Sequence, residues 1–283
     1  MINKKRALIL SDLDGTLLNS EGKLTEFTKE AVKKIVDAGH IFCIATGRPI
    51  RGAKHIYDEL NLETLLVTGN GSIIYNFEKD NEYSIPLTFS KEIFKALFSN
   101  KKILDLIENT IIEDTGTTWF WKNHENSKFY EKFFEIFHLD ENKIKYLDED
   151  VNKIKNNICS ILISIKDSEK MDELFFEVKQ IAPTLIIRNY SISGHCIIEI
   201  NSEYVSKGSA LKYLSSYYGI PLERCYAIGD GDNDISMIDA ATWGIAMKNG
   251  LTTGPKLSAR RTTKYNNNEN GAARELLKML NLD

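Results

Sequence analysis

Residues 7–18 read Ala-Leu-Ile-Leu-Ser-Asp-Leu-Asp-Gly-Thr-Leu-Leu: a short apolar run that ends in the two carboxylates Asp12 and Asp14. The run reads as a buried strand, and the segments downstream of it fix the class. Thr25 to Ala38 places Phe27, Ala31, Val32, Ile35 and Val36 on one helix face and stops at Gly39. His40 to Ala45 reads as a second buried strand, Arg51 to Leu60 as a shorter helix, and Leu65 to Thr68 as a third strand before Gly69-Asn70-Gly71. Strands separated by helices of this length pair in parallel through right-handed crossovers, which predicts a doubly wound, Rossmann-like α/β sheet.

The rhythm changes beyond residue 71. Ser72 to Phe77 and Glu82 to Leu87 flank the polar Glu78 to Asn81 and read as a hairpin. Residues 84–201 then carry helices at Ser90 to Phe98, Ser127 to Phe137 and Ser168 to Ile181. Strands fall at Thr110 to Glu113, Thr117 to Trp121, Cys159 to Ile165, Thr184 to Tyr190 and Cys196 to Ile200. Adjacent strands predict a largely antiparallel sheet with helices on one face, an α+β insert. The Phe129, Phe133, Phe134 and Phe137 stripe has the spacing of a core-facing helix. From Ser206 the alternation resumes with helices Gly208 to Tyr217, Asn233 to Ala241 and Ala272 to Leu280 and strands Cys225 to Ile228 and Gly244 to Met247. Residues 1–83 and 202–283 are therefore expected to form one domain, interrupted by 84–201. Asn266-Asn267-Asn268 reads as a polar loop.

The 283 residues suffice for two domains without disulfides, and 42% hydrophobic with 27% charged residues rules out a disordered or fibrous chain. A formal charge of −4, from 36 basic and 40 acidic residues, lacks the field that nonspecific nucleic-acid binding draws on, so an anionic substrate must be held by local groups. Cys43, Cys159, Cys196 and Cys225 show no Cys-x-x-Cys spacing, which suggests neither zinc nor a disulfide framework. Lys4-Lys5-Arg6 precedes only four apolar residues, and no run approaches the roughly 20 that a membrane span needs. A soluble, cytoplasmic protein without membrane or nucleic-acid partners is expected, in which the sequons at Asn70 and Asn189 are chance matches.

Chemistry concentrates where the strands end, the side of an open α/β sheet on which ligands bind. Asp12 and Asp14 repel one another unless a cation or a proton separates their roles, which suits a divalent metal beside an acid/base pair; an exposed acidic turn is the alternative. Ala45-Thr46-Gly47-Arg48 offers a hydroxyl, an approachable backbone and a guanidinium ahead of a helix, a cradle for an anionic oxygen. Asn70-Gly71 also fits an ordinary turn. Lys207 opens a helix, where a cation is electrostatically unhelpful, so a carboxylate or anion is its expected partner, with a solvated lysine as the alternative. Gly229-Asp230-Gly231-Asp232-Asn233-Asp234 closes a further strand. It is no EF-hand, because Ile235 stands where the loop needs glycine. No Walker motif or nucleophile elbow occurs, and none of the five histidines lies in these motifs.

Taken together, Asp-Leu-Asp-Gly-Thr-Leu-Leu at 12–18, Ala-Thr-Gly-Arg at 45–48, Asn-Gly at 70–71, Ser-Lys-Gly at 206–208 and Gly-Asp-Gly-Asp-Asn-Asp at 229–234 resemble, in order and spacing, the Cof-type phosphatases of the haloacid dehalogenase superfamily, subfamily IIB, across essentially the whole chain. The resemblance implies that Asp12 attacks phosphorus to give an aspartyl-phosphate while Asp14 acts as acid and base. It implies Mg²⁺ held by Asp12, the Asp14 backbone carbonyl and Asp230, with Asp234 behind it. Thr46, Gly47, Arg48, Lys207 and Asn233 would meet the phosphate, and 84–201 would be a cap that sets specificity. Lys248-Asn249-Gly250 departs from the Gly-Asn-Ala of many relatives, which leaves the role of Asn249 open.

The expected function is Mg²⁺-dependent hydrolysis of small phosphorylated metabolites, sugar phosphates above all, by a monomer or homodimer. A phosphomannomutase-like mutase and a sugar-phosphate sensor are the alternatives. A mutase would protect its aspartyl-phosphate from water, and a sensor could lose Asp12 or Asp14 without penalty.

Overall fold

Side chains alternate faces along a strand, so a continuous apolar strand needs cover on both sides. In the computed structural model, which describes residues 6–78, 82–121, 144–148, 150–192 and 195–283, the central strands have that cover. The first half of the core runs β1 (Leu8–Ser11), α1 (Glu26–Asp37), β2 (Ile41–Ala45), α2 (Ile50–Glu59), β3 (Leu66–Thr68), β4 (Ile73–Asn76) and β5 (Tyr83–Pro86). The insert supplies α3 (Lys91–Leu97), α4 (Lys101–Leu106), β6 (Ile107–Asp114), β7 (Thr118–Trp121), β8 (Ile144–Leu147), β9 (Ile158–Ile165), α5 (Met171–Ile181), β10 (Ile186–Ile192) and β11 (His195–Asn201). The chain then completes the core with α6 (Lys207–Tyr217), β12 (Cys225–Gly229), α7 (Ile235–Ala240), β13 (Trp243–Ala246), α8 (Gly254–Ser258), β14 (Arg261–Thr262) and α9 (Gly271–Leu280).

Two compact units result, one from the residues up to Ile85 together with Ser206–Asp283, the other from Pro86–Val205. In the first, one sheet has the order β14-β13-β12-β1-β2-β3-β4-β5. Its strands are parallel from β14 to β3, and β4 turns antiparallel against β3. Ile9, Phe42, Ile44, Leu66, Ile228 and Ile245 face one apolar layer shared with α1, α2 and α9. Their neighbours Leu8, Leu10, Ile41, Cys43, Val67 and Ala227 face the other, with Leu211 and Leu214 of α6 and Met237 of α7. The Thr25 hydroxyl caps α1 by accepting from the Thr28 amide. Val36, expected on the buried face of α1, is 40% exposed. It lies ~100° round the helix from Ile35, beyond the edge of the apolar stripe.

In the second unit the sheet order is β10-β11-β9-β6-β7-β8, antiparallel except that β8 runs parallel to β7. Ile161, Ile163, Ile165, Ile198 and Ile200 pack against Phe94, Leu97, Ile103, Leu174 and Val178, so α3, α4 and α5 cover one face. The sequence reading contains neither β8, α4, α8 nor β14. The expected helix at 127–137 and its phenylalanine stripe lie outside the described residues. Among the described residues, no helix is long and apolar enough to cross a membrane.

Candidate active site

β1 and β12 are adjacent parallel strands, with Ser11 opposite Ile228. Asp12 and Asp230, just beyond the two strand ends, are therefore brought side by side. The Asp12 amide donates to the Ile228 carbonyl at 3.0 Å, which extends the pairing one residue into the site. Lys207 enters as the first residue of α6 and is completely buried. Its Nζ donates to Asp12 Oδ1 and Asp234 Oδ1, each at 2.6 Å. A buried ammonium is tolerable only with such partners. Burial opposes its charge, but the two carboxylates outweigh that and raise its pKa, so it remains protonated.

The carboxylates divide into two kinds. Asp234 spends Oδ1 on Lys207 and accepts from the Asp230 and Gly231 amides through Oδ2, both at 2.9 Å, so it braces the loop. Among the described residues, the Asp230 carboxylate accepts one hydrogen bond, from the Thr16 hydroxyl to Oδ1 at 3.0 Å. Oxygens of Asp12, Asp230 and Asp234 lie within 4.8 Å of one another, with three carboxylates against one ammonium. Burial pushes Asp12 well above the usual carboxylate range. Lys207 pulls the other way, and Asp234, Asp230 and Asp14 add to the rise. Asp230 is pushed up to about 6, first by burial and then by Asp234. Excess negative charge on hard oxygen donors suits a divalent cation, and Asp12 and Asp230 are the carboxylates with ligand capacity to spare.

Gly15, between these groups, has φ +71°, and a Cβ there would run into the Asp230 carboxylate. Glycine is thus required twice over, by the turn and by the close approach. One residue earlier, Asp14 meets Arg48, whose Nε and Nη2 donate to its two oxygens at 2.8 and 2.6 Å. The Thr46 hydroxyl accepts from the Arg48 amide at 3.1 Å, and Arg48 Nη1 donates to the Gly52 carbonyl at 3.0 Å. Asn233 Nδ2 donates to Asn70 Oδ1 at 2.8 Å. The same Asn70 oxygen is 3.2 Å from where a Gly47 Cβ would stand, so Gly47, Asn70 and Asn233 are neighbours. The structure therefore gathers Asp12, Lys207, Asp230 and Asp234 in one cluster, and places Asp14 with Arg48 and Gly47 with Asn233 beside it.

Residues 9–276 match the haloacid dehalogenase-like hydrolase family. The chain belongs to that family. Among curated relatives of this hydrolase is the 5-amino-6-(5-phospho-D-ribitylamino)uracil phosphatase YitU of Bacillus subtilis, 30% identical over 98% of this chain and 99% of the relative. A haloacid dehalogenase-like hydrolase of Bacteroides thetaiotaomicron has the same fold, with a TM-score of 0.80 at 24% identity over 97% of this chain and all of that one. A subclass IIB sugar phosphatase of the superfamily superposes with a TM-score of 0.78 at 22% identity, over 98% and 100%. This hydrolase is a phosphatase.

Two residues that the sequence reading quoted within motifs, without giving them a role, contribute to the site of this hydrolase. Thr16 is the partner of Asp230, and Asn70, buried with φ +57°, links Gly47 to Asn233. Asn70 carried a signal, an asparagine between two glycines at a strand end, but such a triplet equally marks a plain turn. The thiols belong to the core. Burial pushes Cys43 and Cys159 up to about 12, far from thiolate chemistry.

Proposed function

We propose that this phosphatase hydrolyses phosphomonoesters of small metabolites, sugar phosphates foremost, with Mg²⁺ and through a phosphoryl group carried on Asp12. The observation that carries the reading is the ammonium shared by Asp12 and Asp234. Lys207 fixes one oxygen of Asp12 at 2.6 Å, leaving Oδ2 to attack, and sets a permanent positive charge beside the incoming phosphoryl oxygens.

In this reading the Asp12 oxygen forms a bond to phosphorus as the ester P–O bond breaks, and the Asp14 carboxyl gives its proton to the departing alkoxide. Asp14, now a carboxylate, takes a proton from water as the water oxygen attacks phosphorus, which releases phosphate and restores Asp12. Thr46, the Gly47 backbone, Arg48, Lys207 and Asn233 hold the phosphoryl oxygens. The Asp12 and Asp230 carboxylates and the Asp14 carbonyl would hold Mg²⁺, with Asp234 bracing their loop. Bound there, Mg²⁺ supplies the positive charge that lets an anionic nucleophile approach an anionic ester. The unit Pro86–Val205 is assigned the choice of substrate. The Bacillus relative is named for a substrate with a phosphorylated ribityl chain, which supports a polyol or sugar carrying a terminal phosphate.

Phosphate release from p-nitrophenyl phosphate and a panel of sugar phosphates, with Mg²⁺ or EDTA, tests the reading against Asp12→Asn. Metal-dependent release that the variant loses is the expected outcome. No release by folded wild type with Mg²⁺ would overturn it.

A further inference from the structure

Asn249 and the asparagine run at 266–268 stand outside the motif set, yet they converge on the loop that carries Asp12 and Asp14. Asn249, three residues beyond β13, donates Nδ2 to the Gly15 carbonyl at 2.8 Å. Its Oδ1 accepts from the Asn267 amide at 3.0 Å. Asn267 is buried and donates its own Nδ2 to the Leu18 carbonyl at 3.0 Å. Two side-chain amides, linked through the Asn267 backbone N–H, thus hold two carbonyls three residues apart on one turn.

The side chains of that turn are anchored at Asp12, Asp14 and Thr16, but its backbone carbonyls have no regular ladder to hold them. Asp14 at φ −73°, ψ 129° and Gly15 at φ +71° are not helical, so the segment Leu13–Leu17 lacks a regular ladder; the Leu18 amide closes it on the Leu13 carbonyl at 2.9 Å. Carbonyls in such a turn need partners from elsewhere. The Gly15 carbonyl lies one peptide unit beyond the Asp14 carbonyl, so a partner that fixes it restrains the stretch of backbone that presents Asp14. The Asn249 loop also sits against the second acidic strand end: a Cβ on Gly250 would lie 2.6 Å from the Asp230 carbonyl.

We infer that Asn249 and Asn267 form a clasp that positions the Asp12–Leu18 turn for metal binding, both acting as positioning residues that touch neither metal nor phosphate. The inference rests on the metal-dependent reading of the site. In Asn249→Asp the oxygen facing Asn267 is kept, while the donor toward Gly15 becomes an acceptor facing an acceptor. Asn267→Asp does the same at Leu18.

The test is Mg²⁺ titration followed by thermal unfolding and by calorimetry, with Asn268→Ala as control because, among the described residues, the exposed Asn268 side chain bonds the exposed Ser20 alone. The Mg²⁺ midpoint is expected to rise about tenfold in either aspartate variant, in the range seen when a ligand's supporting partner is lost, and to stay put in the control. In turnover, kcat at subsaturating Mg²⁺ should fall, with recovery at high Mg²⁺ and an unchanged KM for substrate. A merely structural role would lower the unfolding temperature without moving the midpoint. If Asn249→Asp does not fold, Asn249→Ser, which cannot reach Gly15 and adds no charge, carries the same expectation. Wild type without any Mg²⁺ response would overturn the metal-dependent reading and the clasp with it. A wild-type response retained at the same midpoint by the folded variants overturns the clasp alone.

Discussion

Arg48 holds Asp14 by a two-pronged contact, Nε to Oδ2 at 2.8 Å and Nη2 to Oδ1 at 2.6 Å, and the arginine is the anchored partner of the two. Its side chain is 10% exposed and tied to the Gly52 carbonyl, whereas the Asp14 side chain is 56% exposed. The contact confines a carboxylate that would otherwise sample several rotamers in water. Lysine offers a point charge in place of the planar fork. Arg48→Lys is therefore expected to lower kcat by ~10- to 100-fold while leaving the unfolding temperature within a few degrees of wild type. Equal kcat in the variant would remove Arg48 from the site's working parts.

If Asp14 protonates the leaving alkoxide, its loss must cost more when the alkoxide is a poor leaving group. A sugar alkoxide needs the proton; p-nitrophenolate largely does not. Asp14→Asn should lower kcat/KM on a sugar phosphate by ~10²- to 10⁴-fold, the usual range for general acid catalysis, and on p-nitrophenyl phosphate by distinctly less in the first chemical step. Single-turnover measurements on both substrates separate that step from the later attack of water, which loss of the carboxylate would slow for either. Equal losses for the two substrates in the first step would rule out the acid role.

Lys207 serves stability as well as the proposed chemistry. Its ammonium is fully buried between Asp12 and Asp234, both of which are themselves nearly inaccessible. Removing one partner of a buried charged group leaves the others uncompensated, at a cost of ~3–5 kcal/mol. Lys207→Met keeps the aliphatic stem and drops the charge, so denaturant unfolding in EDTA should show a loss of about that size near neutral pH. The loss should shrink towards acid pH, where Asp12, held by burial above the usual carboxylate range, takes up a proton. A variant as stable as wild type at pH 7.5 would contradict this account.

The core was legible because its strands are uninterrupted apolar runs and its reactive residues sit at their ends. β1, β2 and β12 each end within a residue of a motif, and parallel pairing then brings Asp12 beside Asp230 across 218 positions of sequence. The elements and contacts that escaped were either too short or too distant. β14 has two residues and α8 five, below the length at which periodicity means anything, and β8 is four residues with Lys145 and Tyr146 exposed between its buried ends. The Asn249 and Asn267 contacts with Gly15 and Leu18 span 234 and 249 residues and involve one neutral amide each, a residue type that also fills ordinary loops. Arg48 was legible as a cation at the site but not as the partner of Asp14, since a carboxylate and a phosphate present a guanidinium with the same geometry.

Asp230 would give the proposed metal binding a pH signature. Its ordinary value of 3.8 is raised to about 6 in the folded chain, chiefly by burial, and Asp12 shifts in the same direction. Between the two values the metal-free folded protein keeps a proton that the unfolded chain has released. Its stability therefore falls as pH rises through that window, and the penalty is complete above the folded value. On the proposed metal-dependent reading, Mg²⁺ would bind the deprotonated carboxylates, so the stabilisation it gives should be small near pH 4.5 and grow to a plateau above about pH 7. Thermal unfolding across that range, in EDTA and in saturating Mg²⁺, should show two curves that diverge as pH rises. Asp230→Asn should flatten the EDTA curve in the window and reduce the divergence, because its amide has no proton to lose. A Mg²⁺ shift of constant size from pH 5 to 7 would mean that the cation does not sit on Asp12 and Asp230.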